Sequence, residues 1–410
     1  MENTAETVQN IITIKDVENA VGRLSQVLHK TPLTRSETFS KLAGTDIYLK
    51  YENQQKTGSF KIRGAYNKLC EIKGSVKNVL AASAGNHAQG VAYAAAALGM
   101  TATIVMPKST PIAKINATEG YGAEVVLFGD GYDSAYEHAK TLAKEKNAEF
   151  IHPFDDVSVI AGQGTLGFEI LRDMPSVDVV FVPAGGGGLL AGVSFCLKSI
   201  NPRIKIIGVQ SAGADAICKS FAEKKRISTL TSATIADGIA VKTPGELTTS
   251  LINTYTDAMV TVTDAEISSA ILNLLERCKQ LVEPAGATSL AAALKMSEEI
   301  RGKRAVCLLS GGNIDMGFVH KLIDLGLAAR GRKLRFKTVL PDVPGSLERV
   351  AKIIAESFAN IVNVQYDRTS ADLDPQDVFL HIVCEVSDNE HGKRVCENLE
   401  KEGYKVILAN

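Results

Sequence analysis

From Asp46 to about Gly326 short β-branched runs alternate with helical, alanine-rich stretches, and this rhythm constrains the fold more than any other feature of the chain. The runs are NVLAAS (78–83), TATIVMP (101–107), AEVVLF (123–128), VDVVFVPA (177–184), IKIIGVQ (204–210) and RAVCLLS (304–310), and Gln89 to Leu98 is one of the helical stretches between them. Alternation of this kind predicts an α/β region, a parallel sheet covered by helices on both faces. In such sheets ligands sit beyond the carboxyl ends of strands, so the loops after the runs are where function is sought. Ahead of the alternation, Val17, Val21, Leu24 and Leu28 recur at helical spacing and predict a helix from Ile14 to His29, ending before Thr31-Pro32. At Ala328 to Lys333 (AARGRK) the composition turns small and basic, and the pattern changes. The tail reads strand (334–340), helix (344–359), strand (361–368), strand (378–386), helix (390–402), strand (404–408), the βαββαβ order of a ferredoxin-like α+β unit.

With 410 residues the chain is long enough for two or three domains and a large core. Its 45 basic residues against 46 acidic ones leave no excess positive charge to meet a phosphate backbone, which argues against nucleic acid as a partner. The greasiest stretches, 91–100 and 179–184, reach at most about half the ~20 residues that a membrane span needs. Seven scattered cysteines without a CxxC pair favour neither a disulfide framework nor a zinc cluster. Together with an N-terminus that has no basic-then-apolar leader, they predict a soluble protein of the reducing cytoplasm.

Four loops carry residues that are odd choices for a loop without a ligand. Thr57-Gly58-Ser59-Phe60-Lys61-Ile62-Arg63-Gly64-Ala65 sets a lysine between two apolar side chains, where desolvation lowers its pKa and frees the amine for a Schiff base. Taken alone, Lys61 reads as a surface lysine beside a turn. Ser83-Ala84-Gly85-Asn86-His87-Ala88-Gln89-Gly90 follows a strand and opens a helix whose free N–H groups favour a carboxylate. By itself it reads equally as a cap, with His87 a packed residue rather than a proton carrier.

The strongest local signal is Gly185-Gly186-Gly187-Gly188-Leu189-Leu190-Ala191-Gly192, directly after VDVVFVPA, where successive N–H groups can converge on a phosphate at a helix N-terminus. Gly186-x-Gly188-x-x-Ala191 matches a dinucleotide fingerprint formally, but the next strand ends in Gln210 where an acidic residue should hold the ribose. A nucleotide P-loop would need GK[ST] after the glycines, which is absent. A single phosphate on a cofactor or substrate remains. Ser310-Gly311-Gly312-Asn313 closes the set, with Glu283-Pro284-Ala285-Gly286-Ala287 opening a helix upstream. A Schiff-base lysine, a phosphate nest and polar strand-end loops together match the needs of pyridoxal phosphate.

At these residues the chain resembles the fold-type II pyridoxal-phosphate enzymes, and among them the threonine dehydratases (threonine ammonia-lyases). The matching motifs are TGSFKIRGA around Lys61, SAGNHAQG around Asn86, AGQGT at 161–165, GGGGLLAG from Gly185, IADGIAV from Ile235, EPAGA from Glu283 and SGGN from Ser310. The resemblance implies a catalytic region over 1–328 built of two parallel-sheet subdomains, the smaller, about 53–155, inserted in the larger. It also implies that Lys61 forms the Schiff base and takes the α-proton, Phe60 packs on the cofactor ring, and Asn86 bonds its 3-hydroxyl. Gly185 to Leu189 would hold the phosphate, with Gly238 beside the cofactor and Ser310 facing the pyridine nitrogen. The loop Ser83, Ala84, Gly85, Asn86, His87 would receive the substrate amino acid. The reaction implied is deamination of L-threonine to 2-oxobutanoate and ammonia, with lesser activity on L-serine; a serine-preferring dehydratase and a non-catalytic amino-acid sensor are the alternatives.

Serine racemases are related, but that family needs a serine immediately before Gly-Asn-His, and here the position is Ala84. The same relatives bind a divalent cation through carboxylates where this chain has Gln210 and Ala216, so no divalent metal is expected and a monovalent ion stays open. Residues 329–410 resemble an ACT regulatory domain, with Asp342, Pro344, Gly345 and Ser346 in the turn that would take an amino-acid effector, a branched-chain inhibitor first. A homo-oligomer, dimer or tetramer, is the expected assembly.

Overall fold

Each of the six apolar runs becomes a strand in the computed structural model, which describes residues 11–370 and 373–408. In chain order the strands are β1 (Leu33–Arg35), β2 (Asp46–Lys50), β3 (Asn78–Ala82), β4 (Thr101–Met106), β5 (Glu124–Leu127), β6 (Glu149–Phe150), β7 (Val179–Pro183), β8 (Lys205–Ser211), β9 (Ala258–Val262) and β10 (Arg304–Leu308), followed by β11 (Lys333–Pro341), β12 (Asn360–Asp367), β13 (Asp377–Glu385) and β14 (Ile407–Leu408). They form three sheets. One has the order β1-β2-β10-β7-β8-β9 and is parallel except at β1; the second is parallel, in the order β5-β4-β3-β6, and is drawn entirely from residues 78–150.

Strand order explains where a ligand can bind. In the smaller sheet the chain runs outward from β3 through β4 to β5 and then returns to the other side of β3 as β6. In the larger sheet it runs from β7 through β8 to β9 and returns beside β7 as β10. At each reversal the loops diverge and open a crevice beyond the carboxyl ends of the strands. The loops at those points are 83–86 and 151–155 in one sheet, 184–188 and 309–313 in the other.

The helix Val157–Asp173, which carries AGQGT, docks the helix Lys61–Ile72 onto the larger subdomain. A Cβ on Gly162 would lie 2.5 Å from the Arg63 carbonyl oxygen, so any side chain there would push the Lys61 helix away. The N-terminal helix covers Ile14–Leu24 and stops short of the expected His29. Past Leu24 the chain continues in turns, with Leu28 N–H donating to the Leu24 carbonyl at 3.1 Å, until a tertiary partner takes over at His29, whose N–H donates to Gln55 Oε1 at 2.8 Å while Gln55 Nε2 donates to its carbonyl at 2.9 Å.

The chain divides between Ile314 and Asp315 into two compact units. That point lies ahead of the composition break at 328–333, because the helix Met316–Ala329 belongs to the second unit, where Lys333 pairs with Asp324 at 3.0 Å. The second unit has an antiparallel sheet in the order β12-β13-β11-β14 with helices Ser346–Glu356 and Asn389–Lys401, the ferredoxin-like order read from sequence. Its last strand is only Ile407–Leu408, and Pro344 and Gly345 stand outside the helix they precede, with Gly345 in the left-handed region at φ 89°. Among the described residues no helix is long and apolar enough to cross a membrane, and all seven cysteines are unpaired.

Candidate active site

The loop around Lys61 is zipped onto the loop after β10. Phe60 N–H donates to the Ser310 carbonyl at 3.1 Å, Gly312 N–H donates to the Gly58 carbonyl at 2.9 Å, and Ser59 bridges to Gly311. Two of the sequence motifs are therefore one structural unit, and Lys61 begins its helix at the crevice. Although Lys61 keeps some accessible surface, its amine lies deep and donates to the Pro153 carbonyl at 2.8 Å. Burial lowers that amine to about 8, with the Glu283 carboxyl acting in the opposite direction. At pH 7 about a tenth of such an amine is neutral, against under about one in a thousand for an ordinary lysine, and the neutral form is the one Schiff-base chemistry uses.

The phosphate-nest loop ends β7 and opens the helix Gly188–Ile200. Gly187 sits at φ 99°, a conformation for which a side chain carries strain, and this turn directs consecutive N–H groups to one side. Gly186 lies under the Phe154 ring, and Gly185 abuts the backbone of Gly238 and Ile239. Leu189 is buried just beyond. A Cβ on Gly238 would in turn stand 3.2 Å from the Ala285 Cβ and 3.7 Å from Glu283 Oε1. The glycine cradle, the IADG turn and EPAG thus share one wall.

Asn86 starts the helix Asn86–Ala97 after β3. Its Nδ2 donates to both Glu283 oxygens at 2.8 and 3.0 Å, and its Oδ1 accepts from Asn313 Nδ2 at 2.7 Å. Ser83 Oγ accepts from Gly85 N–H at 3.2 Å, which shapes the turn that Ala84 occupies. His87 is buried, its Nε2 donates to the Ile151 carbonyl at 3.0 Å, and burial followed by the Lys61 charge lowers it to about 3. It stays neutral and is a packed residue. Ser310 is nearly enclosed, at 2% exposure.

The arrangement fits pyridoxal phosphate: a buried amine of lowered pKa, a glycine nest at a helix N-terminus, and Asn86 and Ser310 between them on loops from both sheets. Gln210 is fully buried, with Oε1 accepting from Cys218 N–H at 2.8 Å, and Asp215 pairs with Lys219 at 3.0 Å. Among the described residues no three His, Cys, Asp or Glu side chains are grouped as metal ligands. Asp342, Pro344, Gly345 and Ser346, expected to form an effector-binding turn, lie in the second unit.

Sequence reasoning assigned no role to three residues of this site. Glu283 is 5% exposed, and burial pushes its carboxyl up to about 7 although the Asn86 hydrogen bond pulls the other way. Asn313 ties Asn86 to the Thr57 carbonyl. Asp155 accepts from Glu246 and Thr248 N–H, both at 3.0 Å, and so anchors the helix Glu246–Tyr255, whose Thr248 Oγ1 donates to the Gly186 carbonyl at 2.7 Å. Glu283 before a proline looks like an ordinary helix opener, and only its three-dimensional partners mark it out.

A family model described as pyridoxal-phosphate dependent enzyme matches residues 24–311. A protein of Thermotoga maritima named L-threonine ammonia-lyase is 44% identical over 400 residues, 97% of this chain and 100% of its own length. Among solved structures, the processed form of threonine deaminase isoform 2 from Solanum lycopersicum is 39% identical with a TM-score of 0.73, covering 76% of this chain and 92% of that one. Maize serine racemase is 34% identical with a TM-score of 0.72, covering 78% and 98%.

Proposed function

The chain belongs to the pyridoxal-phosphate dependent enzymes, and from that membership we propose that it is a threonine ammonia-lyase, converting L-threonine to 2-oxobutanoate and ammonia. The carrying observation is whole-length similarity to an enzyme of that name, together with Lys61 on the glycine-nest crevice. When bound, pyridoxal phosphate supplies a ring that withdraws electrons from the substrate's α-carbon. Lys61 would hold the cofactor through its amine, and that amine, free once substrate is bound, would take the α-proton. Gly185 to Leu189 seat the phosphate, Phe60 covers the ring, Gly238 borders it, and the Asn86 amide serves the 3-oxygen. The N-terminus of Asn86–Ala97, with Ser83, Ala84, Gly85 and His87 around it, receives the substrate carboxylate. Ser310 would offer the ring nitrogen a neutral hydroxyl, not a carboxylate, which suits loss of a β-substituent, and Lys61 would return the proton on which the β-hydroxyl leaves as water.

A racemase reading has support in the maize neighbour, but Ala84 cannot move a proton on the opposite face. Incubating the purified chain with pyridoxal phosphate and either L-threonine or L-serine, and quantifying 2-oxobutanoate, pyruvate and ammonia, tests the assignment. Preferred release of 2-oxobutanoate is expected; preference for serine would make it a serine dehydratase, and no turnover would favour a sensor.

Residues 315–410 act as an ACT-like regulatory unit. The alignment with the tomato enzyme covers only 76% of this chain, against 97% with the Thermotoga protein, as an appended module would give. In the turn before Ser346–Glu356 the Asp342 carboxylate is held by Arg368 at 2.8 and 3.0 Å, and the buried Ser346 hydroxyl has no hydrogen-bond partner among the described residues. A branched-chain amino acid is the leading inhibitor, with its charged end at Pro344-Gly345 and Ser346. The chain works as a homo-oligomer in the cytoplasm. Isoleucine, valine and leucine titrated against threonine turnover test the effector, and three null titrations would remove it.

A further inference from the structure

An asparagine amide has one end that only donates and one that only accepts, and the two orientations have nearly the same shape. Which end meets a ligand is therefore decided by neighbours. In this site the decision can be traced to a group whose polarity is not in doubt. The Thr57 carbonyl can only accept, and Asn313 Nδ2 lies 2.7 Å from it. That contact sets the nitrogen end of Asn313. The same nitrogen lies 2.7 Å from Asn86, and a second N–H can be met only by an acceptor, so Asn86 presents Oδ1 to Asn313. The NH2 end of Asn86 then points the other way, into the crevice and toward the Glu283 carboxyl at 2.8 and 3.0 Å.

The approach of Asn313 depends on the backbone it leans on. Thr57 adopts the left-handed region at φ 61° and Gly58 follows at φ 72°, and a Cβ on Gly58 would lie 2.4 Å from Asn313 Oδ1. Thr57-Gly58 and Asn313, at the ends of two motifs 256 positions apart, are thus fitted to one another. We propose that Asn313 is a positioning residue that fixes the polarity of the Asn86 amide, so that its NH2 end serves the 3-oxygen of bound pyridoxal phosphate. This rests on the reading of Asn86 as the partner of that oxygen. The contacts of the Asn313 amide are to the Thr57 carbonyl and to Asn86, and it acts through Asn86.

The test is cofactor affinity, measured by titrating pyridoxal phosphate into cofactor-free protein and following visible absorption, without turnover. Asn313→Asp removes both N–H donors and supplies an acceptor that competes with Glu283 for the Asn86 NH2 and draws its carbonyl round toward the 3-oxygen. A lost charge-assisted hydrogen bond corresponds to a dissociation constant weaker by about tenfold or more. Asn313→Ala, which leaves the Glu283 carboxyl as the remaining partner that orients Asn86, should weaken binding less. In an Asn86→Ala background Asn313→Asp should change binding by under about twofold, because no amide is left to orient. Equal weakening in both backgrounds would overturn the inference, since residue 313 would then act only through the Thr57 loop. Failure of the unmodified chain to take up the cofactor would overturn the functional reading and the inference with it. Should the Asn313 variants not fold, neutron diffraction from the cofactor-bound wild-type protein decides the matter: deuterons on the Asn86 atom facing the ring oxygen are expected, and a carbonyl there would refute the proposal.

Discussion

Replacing Arg63 by methionine should destabilise the catalytic unit more than any change at an exposed ion pair. Arg63 stands two positions after Lys61 on the same helix and is fully buried. Its Nε and Nη2 donate to the two oxygens of Glu52 at 2.7 and 2.8 Å, and its Nη1 to Glu169 at 2.6 Å and Thr165 at 3.1 Å. Burial alone would lower its pKa; Glu52 and then Glu169 more than offset that and hold the guanidinium above its ordinary value. Glu169 keeps a second cation in Lys50 at 2.7 Å, but Glu52 would be left with only the Thr31 hydroxyl at 2.6 Å. Removing one partner of a buried pair costs about 3–5 kcal/mol, because the remaining charge is uncompensated. That is a large share of a total stability of about 5–15 kcal/mol. The chain has no tryptophan, so urea unfolding is followed by far-ultraviolet circular dichroism. With a slope of about 3 kcal/mol per molar urea, the midpoint should fall by roughly 1 M or more. Arg63→Met with Glu52→Met removes both charges and should recover most of the loss. A single variant within about 1 kcal/mol of the parent, or a double variant as damaged as the single, would refute the reasoning.

Other expectations follow from the crevice. Because burial favours the neutral amine and brings Lys61 to about 8, the rate of pyridoxal phosphate capture by cofactor-free protein should climb about tenfold per pH unit below that point and level off above it. Stopped-flow absorption that keeps rising to pH ~10, as for an ordinary lysine, would contradict this. Gly186→Ala places a Cβ 2.2 Å from the Phe154 ring, so overpacking should cost about 1–3 kcal/mol in unfolding free energy and weaken cofactor binding; unchanged values in both assays would mean that the wall is not packed as described. With Ala84 unable to carry a proton, D-amino acid formation should stay at least about a hundredfold below ammonia release, read by chiral chromatography, and comparable rates would expose another proton carrier.

The parts of this structure that local chemistry dictates are legible in the chain. Short continuous apolar runs bounded by glycine and polar residues place β3, β4, β7, β8 and β10, and strand-end loops rich in glycine mark the crevice. What resists reading is what distant partners decide. The first helix ends at Leu24 and continues as turns to Leu28, and at His29 the backbone is captured by Gln55 from another loop. Lys50, Glu52 and Arg63 look like surface charges in sequence, and only the fold gathers them with Glu169 in the interior. Glu283 meets Asn86 across 197 positions, a separation at which spacing carries no signal. The break at AARGRK marks the end of a helix, while the division between units lies ahead of that helix, where composition is unremarkable.

The central claim, that Lys61 carries pyridoxal phosphate for threonine deamination, is tested most directly by hydride trapping. The cofactor-loaded chain is reduced with borohydride, digested and mapped by mass spectrometry, and threonine turnover is assayed in parallel. The account predicts a pyridoxyl phosphate label on the peptide containing Lys61, in proportion to the loss of 2-oxobutanoate formation. A label on another lysine such as Lys56 or Lys114, or turnover that survives complete reduction, would contradict it.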